Sequence, residues 1–351
     1  MQIDLASQTQ HKVVVDREVG QYLGHVSTVM LEDGQTILAV YPKGHGKGQI
    51  IYQRSTDGGK TWSGRLPTPA NWSTSKETPT IHRVIDPETG KKRVILWSGL
   101  YPARLASSAD DGETWTELKD AGDWGGIVVM GGVERLKNGE YFALFHDDGR
   151  FFGPNGEGTG VFTLYQTNSK DGGLTWSHPR PLLARRDVCL CEPGIIRSPN
   201  GRTLAVALRE NLRVKSAHIM FSTDEAKTWS EPVELPQAFN GDRHIFRYGP
   251  DGRLVCVFRN MEDGPWKGDF VAWVGTFDDL VKGRPGQYKV RLADNQDGTD
   301  CGYPGLELTS DGTLVATTYG HWEAGKEPYI MAFRFALAEL DRLAKSGKQS
   351  E

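Results

Sequence analysis

A turn of the form Ser-x-Asp-x-Gly-x-Thr-Trp is written four times along the chain: STDGGKTW at 55–62, SADDGETW at 108–115, SKDGGLTW at 169–176 and STDEAKTW at 222–229. The serines fall 53, 61 and 53 residues apart. Self-similarity at that period is the mark of a solenoid, a propeller or another array of repeated units. Each position has a physical task. Asp57, Asp110, Asp171 and Asp224 can accept backbone N–H groups across their own turn, and Gly59, Gly112 and Gly173 suit a positive φ. The tryptophan supplies a large apolar plug for a neighbouring layer. Ala226 stands where the fourth glycine belongs, so that turn is expected to be strained or differently shaped. A fifth trace, Thr276-Phe277-Asp278, lacks both Gly and Trp and reads as degenerate.

Between the turns the chain alternates apolar strands with Gly-containing hairpin loops. Six such hairpins are legible: HVSTVMLEDGQTILAVY from 25, ETPTIHRVIDPETGKKRVILW from 77, VVMGGVERLKNGEYFALF from 128, CEPGIIRSPNGRTLAVALR from 191, RHIFRYGPDGRLVCVFR from 243 and YPGLELTSDGTLVATTY from 303. They predict an all-β fold, a six-bladed β-propeller of four-stranded blades in a single domain spanning 1–351, with the four tryptophans on its outer rim. The last blade lacks an outer strand of its own. KVVVDRE at 12–18 can supply it and close the ring, which removes the open sheet edges. ALAELDRLAKS predicts a short helix within the C-terminal segment 336–351.

A net charge of −4 argues against nucleic acid or a membrane surface as the main partner. No apolar run reaches membrane-spanning length, so no membrane insertion is expected. The start, MQIDLASQTQ, lacks the basic and apolar segments of a signal peptide, which reads as cytoplasmic; a protein whose leader had been removed, secreted or periplasmic, would look the same. Cys189, Cys191, Cys256 and Cys301 are too few for a disulfide scaffold and do not form a metal-binding pattern, so they read as buried thiols. No metal and no cofactor is expected.

The repeated turn resembles the Asp-box, or BNR, motif, and nearly the whole chain is similar to the six-bladed propellers of the sialidase (neuraminidase) superfamily. That motif marks the fold and sits away from the central funnel, so function has to be read from the inner strands. The resemblance implies a tyrosine nucleophile activated by a glutamate, an acid for the leaving group, and arginines that grip a sugar carboxylate. Glu192 opens the fourth inner strand, Arg209 ends its partner strand, and Tyr303 opens the sixth, as in the family's pattern.

The sequence also departs from that pattern. His25-Val26-Ser27 stands where an Arg-Ile-Pro would supply one arginine, and the loop YPKGHGKGQ from 41 holds no aspartate for the acid. His45 and Glu77 are candidates for that proton donor. Around them His25, Arg209, Arg243, His244, Arg259, Arg104, Arg150 and His321 fall near inner-strand ends or adjoining loops and are candidate substrate-binding residues; together they suggest an anionic ligand. The expected function is a sialidase-like exo-glycosidase releasing a terminal acidic sugar, with a glycan or acidic oligosaccharide as partner. A propeller polysaccharide lyase, another glycosidase using His, Tyr and Glu, or a non-catalytic propeller binding glycan or protein are the alternatives. Oligomeric state is not legible.

Overall fold

The computed structural model describes residues 1–347; of the C-terminal segment expected at 336–351, the last four residues lie outside the described part. Its strands form six sheets, antiparallel but for one edge strand, arranged in chain order as the blades of a propeller. The inner strands of blades one to six are Ser27–Met30, Thr80–Ile85, Ile127–Arg135, Leu190–Arg197, Gly241–Tyr248 and Cys301–Leu308. They pack beside one another around a central channel. Lys12–Asp16 pairs antiparallel with Tyr329–Phe335, so the outer strand of blade six comes from the N-terminus and closes the ring.

The blades are not all alike. In blade one only three strands make a regular ladder; Ser63 and Leu66 bond back to Arg54 and Tyr52 but do not form a fourth strand. Blade five carries a fifth strand, Gln2–Asp4, parallel to Tyr288–Ala293. The degenerate fifth trace is a short helix, Phe277–Val281, capped reciprocally by Thr276 and Asp279. A second helix, Leu337–Gly347, packs its Leu337, Leu340 and Ala344 into the core of blades five and six.

The four repeated turns are wired alike. In the first, Ser55 Oγ accepts the Gly59 N–H at 2.8 Å, and Asp57 accepts the Thr61 N–H at 2.9 Å and the Thr61 hydroxyl at 2.6 Å. The fourth repeats this with Ala226, Asp224 and Thr228 at 3.0, 3.0 and 2.6 Å. Its shape is therefore kept, and what is left is strain: Ala226 sits at φ 61°. Each tryptophan faces the preceding blade. Trp115 packs on Tyr52 of blade one at 5.7 Å, Trp176 on Trp97 of blade two at 5.4 Å, and Trp229 on Phe142 of blade three at 6.0 Å. A rim turn spends a tryptophan because adjacent blades share no backbone ladder, and apolar burial has to hold them together.

Candidate active site

The inner strands begin with an unusual backbone. His25, Val128, Glu192, Arg243 and Tyr303, at the mouths of blades one, three, four, five and six, all have φ between 50° and 57°. A left-handed backbone on a non-glycine residue costs roughly 1–2 kcal/mol. After four of these residues the ladder is interrupted before resuming at Gly132, Gly194, Ile245 and Gly305. Such a bulge turns one side chain out of the alternation of the strand and toward the axis.

Glu192 and Tyr303, far apart in sequence, meet there. The Tyr303 hydroxyl donates to Glu192 Oε1, and Arg209 Nη1 donates to the same oxygen at 2.8 Å. Glu192 Oε2 is shielded from solvent and has no partner among the described residues. Burial is the largest influence and would raise the Glu192 carboxyl, but the Arg209 guanidinium, the Tyr303 hydrogen bond and the Arg243 charge together hold the group below its ordinary value. Tyr303 moves the other way. Burial, with the Glu192 charge beside it, pushes the phenol well above its usual range, so the pair at rest is a phenol on a carboxylate.

Above the pair lies a cavity of about 210 Å³ whose wall includes His25, His45, Glu77, His146, Phe162 and Asn211 besides Glu192 and Tyr303. Glu77 Oε1 accepts the Thr78 N–H at 2.7 Å and its hydroxyl at 2.9 Å; burial nevertheless dominates and raises the carboxyl. His25 Nδ1 accepts the Gly46 N–H at 3.0 Å, its ring lies 4.3 Å from that of Tyr303, and burial drives its pKa well down. His25 is therefore an uncharged wall residue and does not replace a missing arginine by charge. His45 is largely exposed, and its Nδ1 is 2.7 Å from the Tyr22 hydroxyl, which donates to Asp300.

Several residues singled out in the sequence lie elsewhere. Arg104 is spent on Thr74, at 2.7 Å to both carbonyl and hydroxyl, and Arg150 on Asp148 at 2.8 Å. The His244 ring is buried against Phe258 and donates from Nε2 to the Phe239 carbonyl at 2.9 Å, because its side chain falls on the core side of its strand. His321 contacts the Lys326 carbonyl and lies 3.5 Å from Asp300, one layer behind the cavity. Arg259 donates to Asp242 at 2.7 Å and to the Thr299 carbonyl at 2.7 Å, leaving it behind the wall. Arg243 faces the channel below.

Asp242 is the residue that sequence reasoning missed. Its carboxylate takes Arg213 at 2.6 Å and Arg259 at 2.6 Å, and Arg209 Nε lies 3.2 Å away in an ion pair without hydrogen-bond alignment. These cations hold its pKa down at about 2 despite burial. The signal was available: Asp242 precedes Arg243 as Cys191 precedes Glu192 and Gly302 precedes Tyr303.

Comparison with known proteins places this geometry in context. A family model described as a BNR repeat-like domain matches residues 88–315, and no curated protein sequence matches the chain. Solved structures with the same fold include a protein of unknown function from Dyadobacter fermentans (17% identity, 92% of this chain and 97% of that one, TM-score 0.68). An α-L-arabinofuranosidase of Fusarium graminearum solved with arabinobiose is 14% identical over 94% of this chain and 98% of its own, with TM-score 0.68. The intramolecular trans-sialidase of Ruminococcus gnavus is 15% identical over 91% and 95%, with TM-score 0.63. At these identities the likeness is one of fold.

Proposed function

The chain belongs to the BNR repeat-like family, and on that premise we propose that it is a glycoside hydrolase that removes one terminal sugar from a glycan. The observation that carries the reading is the Tyr303 hydroxyl seated on Glu192 at the floor of the cavity. Tyr303 attacks the anomeric carbon while its proton passes to Glu192 Oε1. Glu77, whose carboxyl burial raises, gives its proton to the departing glycan oxygen. Water then attacks the same carbon and returns a proton to Glu77, and Glu192 gives its proton back to the phenolate oxygen. Two displacements retain the configuration. A volume of about 210 Å³ is below the ~300 Å³ usual for small-molecule pockets, which suits a single sugar at a chain end.

The sugar we propose is acidic, of the sialic-acid type. A neutral phenol approaches an anomeric centre beside a carboxylate without the repulsion a glutamate would meet, and three guanidinium groups, Arg209, Arg213 and Arg259, share only Glu192 and Asp242. A second reading, a neutral terminal pentose such as arabinofuranose, is favoured by the uncharged His25 and by the commitment of Arg209 and Arg259 to Asp242. Glu192 would then itself be the nucleophile. Aryl α-sialosides and aryl α-L-arabinofuranosides assayed with wild type, Glu192→Gln and Tyr303→Phe separate the two. Loss of sialoside cleavage in both variants supports the first; arabinoside cleavage lost only in Glu192→Gln supports the second. No turnover of any aryl glycoside by the wild type would sink both.

A further inference from the structure

Below the reactive pair, a channel of about 550 Å³ continues between the inner strands, and Tyr303 lines both it and the cavity above. Arg243 faces this channel. It is 6% exposed, yet its guanidinium makes no hydrogen bond or ion pair with any described residue, and Nη1 is shut off from solvent. It lies over the Tyr303 ring, 5.5 Å from its centre. The Glu192 charge acts on it from beyond contact distance, but burial outweighs that and lowers its pKa; a buried guanidinium with no direct partner is among the costlier arrangements a protein can hold.

The channel offers no carboxylate to relieve it. The one acidic residue in its wall, Glu307, takes Arg247 at 2.9 Å and the Thr28 hydroxyl at 3.0 Å. Neutral donors, in contrast, are at hand on the inner strand of blade two. Thr80 Oγ1 accepts the Met130 N–H at 3.1 Å and has its own proton to give. The His82 Nε2 is shielded and unpartnered, and burial together with the Arg243 charge pushes that imidazole down to about 3, so it is neutral.

We infer that the channel holds a small monovalent inorganic anion, of the chloride type, bound by Arg243 with the Thr80 hydroxyl and the His82 N–H as neutral partners. One free cation with uncharged donors matches a single negative charge better than a doubly charged phosphate or sulfate. Because Tyr303 stands between channel and cavity, the ion is distinct from any sugar carboxylate above. The inference does not depend on the reaction proposed for the cavity.

The test has a structural arm and a solution arm. Wild-type crystals soaked in bromide are expected to show an anomalous peak within hydrogen-bonding reach of Arg243. In solution, chloride at ten times its Kd should raise Tm by about 2 °C over gluconate at equal ionic strength, and Arg243→Met should remove the difference. If Arg243→Met does not fold, the bromide map of the wild type decides alone. An empty map with equal Tm in chloride and gluconate overturns the inference. So does stabilisation by acetate or an acidic monosaccharide without any bromide peak, since that would make Arg243 a carboxylate site.

Discussion

On the outer rim, left-handed backbone falls mostly on glycine, at Gly58, Gly59, Gly112, Gly172 and Gly173, with Asp111, Glu225 and Ala226 the departures, and the polar side chains of those turns are bonded to one another. At the funnel it falls on His25, Val128, Glu192, Arg243 and Tyr303, and several polar atoms there have no partner. Both regions repeat a backbone device blade after blade. At the rim the residue is chosen to fit the backbone, whereas at the funnel the backbone is bent to aim the residue. At the funnel the strain falls on the charged and aromatic residues that face a ligand, and several of their polar atoms go unpartnered; at the rim the Ser, Asp and Thr groups are satisfied, and the unpartnered donors among the described residues are the Trp62 and Trp115 indoles and Arg54 Nε.

The sharpest way to break this comparison is to change a funnel residue and look for a cost in stability. Tyr303→Phe removes one hydroxyl and leaves Glu192 paired with Arg209. Turnover on the cleaved glycoside should fall roughly 100-fold or more, with Tm nearly unchanged. Near-wild-type kcat would remove Tyr303 from the chemistry.

Asp242 tests the opposite corner, a funnel residue whose work is structural. Asp242→Asn leaves Arg209, Arg213 and Arg259 facing one another without their shared counter-charge. Breaking a buried ion cluster from one side should cost about 3–5 kcal/mol, read by denaturant unfolding. A loss under about 1 kcal/mol would mean that solvent already screens the cluster.

Acid should separate the two regions by pH. His82 and His146 are held neutral by burial, at about 3 and about 4. Their folded values lie below the unfolded value of ~6.5. The stability they confer is complete above that value and is lost as pH falls through about 4 for His146 and about 3 for His82. At the rim, the Thr hydroxyl and backbone N–H bonds hold Asp110 and Asp224 at about 2. Their contribution is present above an unfolded value of ~3.9 and disappears as pH drops through 2. A Tm profile should therefore decline in two stages, with His146→Gln flattening the upper stage and Asp224→Asn the lower. One smooth decline unaffected by either change would contradict the assignment.

Much of this was legible because the rim turn is local: eight consecutive residues carry their own hydrogen-bond plan, its period marks a repeat array, and the six inner hairpins set the blade count. The mouths of the inner strands were legible in kind, and Glu192, Arg209 and Tyr303 come together at the axis. Asp242 was marked only by its place before Arg243 at a strand mouth; its role as the centre of an ion cluster was not legible, because its partners lie on two distant stretches, Arg209 with Arg213 and Arg259. Arg104, Arg150 and His321 were placed by distance from a strand end, which says nothing about which way a loop side chain turns. Blade one's missing fourth ladder follows from the chain after Trp62 making only two backbone bonds back before it leaves the sheet.

The smallest expected effect lies at the one turn that lacks the glycine of the shared frame. Ala226 carries a Cβ at φ 61°, where the other three turns have glycine, and Glu225 before it is left-handed too. Ala226→Gly relieves about 1 kcal/mol of left-handed strain, while it loosens the unfolded chain and removes a methyl buried among blades three and four. The balance should leave the protein within about 0.5 kcal/mol of wild type. The reverse change, Gly173→Ala, has no such compensation. The new Cβ would meet Ile95 of blade two at 2.9 Å, besides adopting φ 81°, and should destabilise by about 2 kcal/mol or more. Equal costs for the two substitutions would mean that blade contact, not backbone handedness, selects glycine in these turns. A marked gain from Ala226→Gly would instead show the fourth turn to be held in place against its own strain by its hydrogen bonds alone.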